Sequence, residues 1–264
     1  MSKYFINILL GLLPILALAQ SEPIDLSQKD TIEYKEQYGL RVGADISKLV
    51  LSFLDEDYTG LELVGDYRLT HKLYLAAEIG NETKRQDENL NNTVLYDYET
   101  SGSYIKAGVD LNTYENWFGM NNAITIGGRY AVASFNNTLY DYSLYETDQF
   151  FNSEFLPGTN PNREFSGLSA TWLEFVVGTK VELFANIFVG MSARLGFLVT
   201  NTEDEQFPNL WIPGFNKVTD GSNFGVNYNY SISYFIPLYK KSKKQITVQH
   251  TLLSPKVVLP VVLS

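Results

Sequence analysis

The chain of 264 residues carries a formal net charge of −10 and has no cysteine. Such an acidic surface repels phosphate backbones and sets nucleic acid aside as a partner, and the missing thiol excludes disulfides, thiolate nucleophiles, thiolate metal sites and an acylated N-terminal cysteine. At 45% hydrophobic there is enough apolar side chain for a core, yet beyond the first twenty residues no run is long and apolar enough for a transmembrane helix.

The N-terminus has Lys3, an apolar stretch from Tyr4 to Leu18 and the small-residue site Ala17-Leu18-Ala19. These are the three parts of a secretory signal peptide, predicted over residues 1–19 with cleavage before Gln20. Residues 20–36 are polar and aperiodic and contain Pro23, so they read as a flexible lead-in.

From Tyr38 the chain alternates apolar and polar residues, which puts one kind on each face of a strand. The first segment sets Tyr38, Leu40, Val42, Ala44 and Ile46 against Gly39, Arg41, Gly43, Asp45 and Ser47. Further segments run over 59–69, 73–80, 104–111, 124–132, 173–183 and 187–197. The last is the clearest: Phe224, Val226, Tyr228, Tyr230, Ile232, Tyr234 and Ile236 alternate with small or polar residues, mostly Gly, Asn and Ser. Eight strands result, and the links between them alternate long and short. About 23 residues precede Tyr104 and about 35 precede Ser169, whereas Thr70-His71 and 184–186 are tight turns. The pattern predicts an all-β fold: an eight-stranded antiparallel up-and-down transmembrane β-barrel over 37–238, with four long extracellular loops and short periplasmic turns, placed in an outer membrane.

Alternation alone fits either a lipid-facing apolar wall or a lipocalin-like soluble barrel with an apolar cavity. The apolar rows contain no Asp, Glu, Lys or Arg, as a hydrocarbon layer would enforce. The polar rows are rich in glycine, which weakens an outer wall but makes room in a narrow lumen. They also hold near-balanced charge, predicting a lumen network of Arg41, Asp45, Glu62, Asp66, Arg68, Glu78, Lys106, Asp110, Arg129, Glu174, Lys180, Glu182 and Arg194. Trp172, Tyr67, Tyr130 and Tyr234 are candidate interfacial girdle residues.

No catalytic, cofactor or metal site is assigned. The two histidines, His71 in a predicted turn and His250 in the tail, are placed poorly for an enzyme working at the outer rim. Acidic clusters at Asp55-Glu56-Asp57, Asp87-Glu88, Asp97 with Glu99, and Glu203-Asp204-Glu205 match no calcium-loop spacing and read as solvated loop faces. Asn91-Asn92-Thr93 and Asn136-Asn137-Thr138 match the glycosylation pattern by chance. The loop over 135–165, rich in aromatics such as Tyr140, Tyr142 and Phe150, suits either a partner or packing over the barrel mouth. Lys240, Lys241, Lys243 and Lys244 follow the last strand, and residues 239–264 form a tail outside the barrel pattern. The expected role is a small non-enzymatic outer-membrane anchor or interaction protein, with outer-membrane lipid around it and envelope proteins or glycans at its loops. The alternatives are a lipid-modifying or hydrolytic enzyme, or a small porin if ten strands are present.

The segments YGLRVGADISK (38–48), YLAAEIGNE (74–82), SGSYIKAGVD (101–110), EFSGLSATWLEF (164–175) and IPGFNKVTDGS (212–222) resemble an uncharacterised outer-membrane β-barrel family of Bacteroidota, a domain of unknown function. The resemblance covers roughly 36–241. It implies envelope location and a barrel, and it supplies no activity and no site residues.

Overall fold

The computed structural model describes residues 35–90, 93–114, 121–145, 155–157, 162–184, 186–204, 207–219 and 221–242. The elements in chain order are β1 (Lys35–Asp45), helix α1 (Ile46–Leu54), β2 (Tyr58–Arg68), β3 (Leu73–Leu90), β4 (Thr93–Asn112), β5 (Ala123–Tyr145), β6 (Phe155–Pro157), β7 (Arg163–Phe184), β8 (Ile187–Asn201), β9 (Trp211–Ile212), β10 (Asn216–Lys217) and β11 (Phe224–Ser242). Among these residues, eight long strands close a ring of antiparallel pairs: β1, β2, β3, β4, β5, β7, β8, β11 and back to β1. β6 adds three residues to the end of β5, and β9 and β10 form a separate short hairpin.

The register sets the bore of the ring. Paired residues lead from Val42 through Gly65, Ala77, Ala107, Tyr130, Leu173 and Phe197 to Phe224. Val42 itself faces Tyr234 on β11, ten residues further along that strand. A stagger of this size over eight strands tilts them by roughly 40° and gives a backbone radius of ~8 Å, a bore that side chains alone can fill.

Each of the eight segments expected from the alternation falls on one of these strands, except for Ile46 and Ser47 after β1 and Leu69 after β2, and most of the strands are longer than the pattern indicates. β3 and β4 extend to a tip at Leu90 and Thr93, and β5 continues to Tyr145. Much of the two longest expected loops is therefore strand. The reason lies on the outer wall. Up to Ile79, Ile105, Val132 and Leu173 the outward side chains are apolar and exposed. Past that level they become polar, with Asn81 donating to Ser103 at 3.0 Å, Thr83 bonding Ser101 at 2.8 Å and Thr171 bonding Thr200 at 2.7 Å. On β3 both faces are then polar, and on β4 and β5 the sense of the pattern inverts, with Tyr98, Phe135 and Leu139 inward and polar groups outward, so the apolar-out signal ends while the ladder continues.

Other expectations are corrected. Ile46 and Ser47 do not continue β1: Asp45 accepts from Ser47 N at 2.8 Å and caps helix α1, where a loop was expected. Lys240 and Lys241 lie within β11, opposite Gln37 and Glu36, so the ring begins at Lys35 and extends past 238. Trp172 is fully buried and belongs to no outer girdle, because it shares the parity of Glu174, which points inward. Tyr130 and Tyr234 do face outward. The segment after β8, expected as an outer loop, turns into the ring and buries Asn209, Ile212 and Phe215. The signal peptide, most of the lead-in, His250 and the tail beyond Ser242 lie outside the described residues.

That inward turn needs glycine. Gly214 has φ +79, and a Cβ there would lie 2.6 Å from the Tyr104 ring. Phe215 rests on Gly196 and Gly225, which pair across β8 and β11, and a Cβ on either would meet its ring at 2.8 Å. Around this plug, Tyr98, Tyr104, Phe135, Phe165, Leu168, Trp172 and Leu198 form an aromatic and aliphatic core in one half of the ring. We expect Gly225→Leu to displace Phe215 and lower stability by about 1–3 kcal/mol. Gly65→Ala, whose new Cβ would meet nothing closer than 3.5 Å, should change it by less than ~0.5 kcal/mol. Thermal melting of the purified variants checks both.

Candidate functional site

Below the aromatic core the lumen is ionic. Among the described residues, six cations and six carboxylates meet in three sets of ion pairs: Asp66 with Arg41 and Lys180, Lys48 with Glu62 and Glu82, and the run Lys106, Glu174, Arg194, Glu78, Arg129 and Asp110. Strand alternation aims each of these strand residues inward, and the small bore brings opposite walls within reach. The six cations and six carboxylates balance, as buried charges must.

Glu78 on β3 is the centre. Arg194 reaches it from β8 with both terminal nitrogens, one at 3.2 Å, and Arg129 reaches it from β5 at 3.3 Å. Arg129 also grips Asp110 with two parallel bonds of 2.8 and 2.9 Å. Toward one end, Asp66 accepts from Arg41 at 2.7 Å and from Lys180 on the opposite wall. Arg41 also lies over the rings of Tyr74 and Phe188, at 5.0 and 5.1 Å. Toward the other end, Glu174 holds Lys106 at 2.8 Å and accepts from the Trp172 indole at 2.7 Å.

The network then engages the plug. Lys106 donates to the Gly214 carbonyl at 2.9 Å, and Gly214 N–H donates to Glu82 at 3.0 Å. Lys48 of helix α1 bonds Glu82 and lies 3.8 Å from Glu62. Tyr104 donates to Glu62 at 2.5 Å, and Asn229 donates to it at 3.0 Å. A cavity of about 40 Å³, bordered by Glu78, Asp110, Arg129, Lys180 and Arg194, has room for about one water molecule.

Ten of the thirteen lumen residues named from sequence join this network. Arg68 lies at the edge, bonding the Gln37 carbonyl at 2.9 Å and His71 Nδ1 at 3.1 Å. Asp45 serves as the helix cap. Glu182 sits by a turn and accepts from Asn121 at 3.0 Å. Two members went unnamed, Lys48 and Glu82. Glu82 keeps the inward parity of Glu78 past the point where the apolar alternation stops. Lys48 lies in the stretch ISKLVLSFL, whose period is helical.

Two of the acidic groups in the expected loop clusters have cationic neighbours. Asp97 takes two bonds from Arg85 at 3.0 and 2.7 Å, and Asp55 pairs with Lys84 at 2.7 Å. Among the described residues no cluster of three or more His, Asp or Glu is arranged to hold a metal ion. In the upper part of β4, burial raises the Tyr98 phenol above the usual tyrosine value, and its hydroxyl donates to Gln86 at 2.6 Å.

The expected energetics follow from the number of partners each group has. Glu78→Gln leaves two buried guanidiniums short of charge and should cost about 3–5 kcal/mol. A cycle with Arg194→Leu should show a coupling above ~1 kcal/mol. Lys180→Met should cost about 1–2 kcal/mol, because Asp66 keeps Arg41 and the Lys180 side chain is 23% exposed. Denaturant unfolding midpoints of the purified proteins test this ranking.

Residues 1–241 match the family described as a domain of unknown function, DUF6048. The match stops beside the end of β11 at Ser242, and it takes in every element of the ring. No curated protein and no solved structure matches the chain. The protein belongs to the DUF6048 family.

Proposed function

We propose that the protein is an eight-stranded outer-membrane β-barrel of a bacterial envelope, acting as a non-enzymatic anchor or interaction protein through the end that carries the β3–β4 and β5 extensions. The observation that carries this reading is the outer wall. Leu63, Leu75, Ile79, Ile105, Val109, Ile126, Val132, Phe175, Val177, Leu195 and Ile232 are all exposed, and the belt they form gives way to the Asn81–Ser103 and Thr83–Ser101 pairs at one level. On a protein surrounded by water, such a belt would leave large apolar side chains unburied on every strand. In a bilayer it matches an apolar band flanked by polar ends, where each midplane Lys or Arg would cost ~2–4 kcal/mol.

A soluble ligand-carrying barrel would have the opposite arrangement, with apolar groups inside and charge outside. The predicted signal peptide and the resemblance to a Bacteroidota outer-membrane family support the same location. The ionic lumen with space for about one water speaks against a porin, and the pairing of its carboxylates and cations speaks against an enzyme centred there. Partners are then proteins or glycans outside the cell, met by the long hairpin.

Single cysteines in this cysteine-free chain provide the test. In intact cells a membrane-impermeant maleimide should label Asn89→Cys at the hairpin tip, and it should label Lys72→Cys at the opposite end only after permeabilisation. Recovery of the protein from the soluble periplasmic fraction, or labelling of both positions alike in intact cells, would refute the topology. Lipid A profiles from a deletion strain should match the parent, and a changed profile would favour a lipid-modifying enzyme instead.

A further inference from the structure

Helix α1 stands where a strand would be expected. β1 pairs with β11 only as far as Asp45 opposite Ser231, and with β2 only as far as Ala44 opposite Leu63. Beyond those points residues 58–62 of β2 pair with β3, and residues 224–230 of β11 pair with β8. Among the described residues, each of these two segments lacks a strand on its other side. Helix α1 packs against both strands and fills the opening.

Its attachments are few. The Ser52 hydroxyl accepts from Gly60 N at 2.8 Å, which satisfies one backbone group at the edge of β2. Lys48 passes inward to Glu82 and Glu62. Behind the helix, Asn229 of β11 bonds Glu62 of β2 across the opening. The other face of the helix is apolar: Val50, Phe53 and Leu54 project opposite Lys48 and Ser52. Phe53 is 87% exposed and Leu54 71%. The neighbouring strands present Leu61 and Leu63 on one side and Val226, Tyr228 and Tyr230 on the other, all exposed on the belt. A nine-residue helix is marginal on its own, so this one depends on what covers its two faces.

We propose that helix α1 is a lipid-facing side panel of the barrel, its Phe53 and Leu54 face covered by acyl chains, with Lys48 as the latch that holds it over the Glu62 and Glu82 end of the lumen. The proposal rests on the membrane reading above. Acyl chains are the occupant because the apolar face continues the belt on both neighbouring strands. Releasing a panel breaks no β ladder. It breaks the Lys48 and Ser52 attachments, so the wall can part here toward lipid, giving the closed lumen a sideways route.

The test uses single cysteines carrying a fluorophore, in vesicles containing lipids brominated on the acyl chain. Phe53→Cys and Leu61→Cys should be quenched, and Thr83→Cys, above the belt, should not. Quenching at Leu61 without quenching at Phe53 overturns the panel and leaves the barrel standing, whereas quenching at neither overturns the barrel reading and the panel with it. For the latch, Asn229→Cys should react with a membrane-soluble maleimide about tenfold faster when combined with Lys48→Met, and at the parental rate with Lys48→Arg. Should Lys48→Met fail to fold, Ser52→Ala, which removes the other attachment and keeps the charges, should also speed the reaction. Unchanged rates in folded Lys48→Met, or in Ser52→Ala where that stands in, overturn the latch.

Discussion

A carboxylate taken out of water inside a ring of ~8 Å radius must find its counter-charge within that ring, and Glu78 is where this constraint is met most heavily. Arg129 and Arg194 reach it from two other strands, and each guanidinium then passes the demand on, Arg129 to Asp110 and Arg194 to Glu174. The interior is therefore a chain of obligations that fixes which walls face one another. A register slip of one residue in any strand would turn its charges outward into the apolar belt and strand their partners inside. The stagger of the sheet and the ionic order of the lumen specify each other.

The same constraint explains how the two halves of the interior are joined. The aromatic half is packed by the segment after β8, which enters the ring and sets Phe215 against Trp172 at 5.7 Å. Its backbone at Gly214 offers an N–H to Glu82 and a carbonyl to Lys106, so the plug caps the ionic half with one donor and one acceptor. Glycine is required there both for the positive φ and because Tyr104 occupies the space a side chain would take. Helix α1 meets the network in a similar way, delivering Lys48 to the same carboxylate that receives Gly214.

How much of this was legible in the sequence depends on what each residue has to face. The belt and the inward charges could be read because period two survives wherever one face is apolar. Arg41, Glu78 and Arg194 were named from parity alone. Glu82 was not, because its outward neighbours Asn81 and Thr83 are polar and erase the contrast. The upper halves of β4 and β5 escape the apolar-out pattern because its sense reverses there, with Tyr98, Phe135 and Leu139 turned inward and polar groups outward. Trp172 shows that parity outranks residue type: a tryptophan near a strand end suits a membrane interface, but its place two residues from Glu174 sends it inward. Helix α1 was hidden by coincidence, since Ile46 extends the alternation of β1 for one more step before the chain turns on the Asp45 cap. The plug gave no local signal, because its burial depends on glycines in strands far along the chain.

The distribution of satisfied groups also bears on where activity can reside. A catalytic acid, base or nucleophile needs an accessible position and a proton to exchange with a substrate. In the lumen the Tyr104 hydroxyl donates a hydrogen bond to Glu62, the Trp172 indole is committed to Glu174, and Asp110 is closed off by both arms of Arg129. Opening any of these to a ligand would first have to break a buried, charge-assisted bond. Among the described residues, two surfaces free of that burden are the hairpin formed by β3 and β4 above the belt and the outer face of helix α1. On the membrane reading one of these meets the medium outside the cell and the other meets lipid.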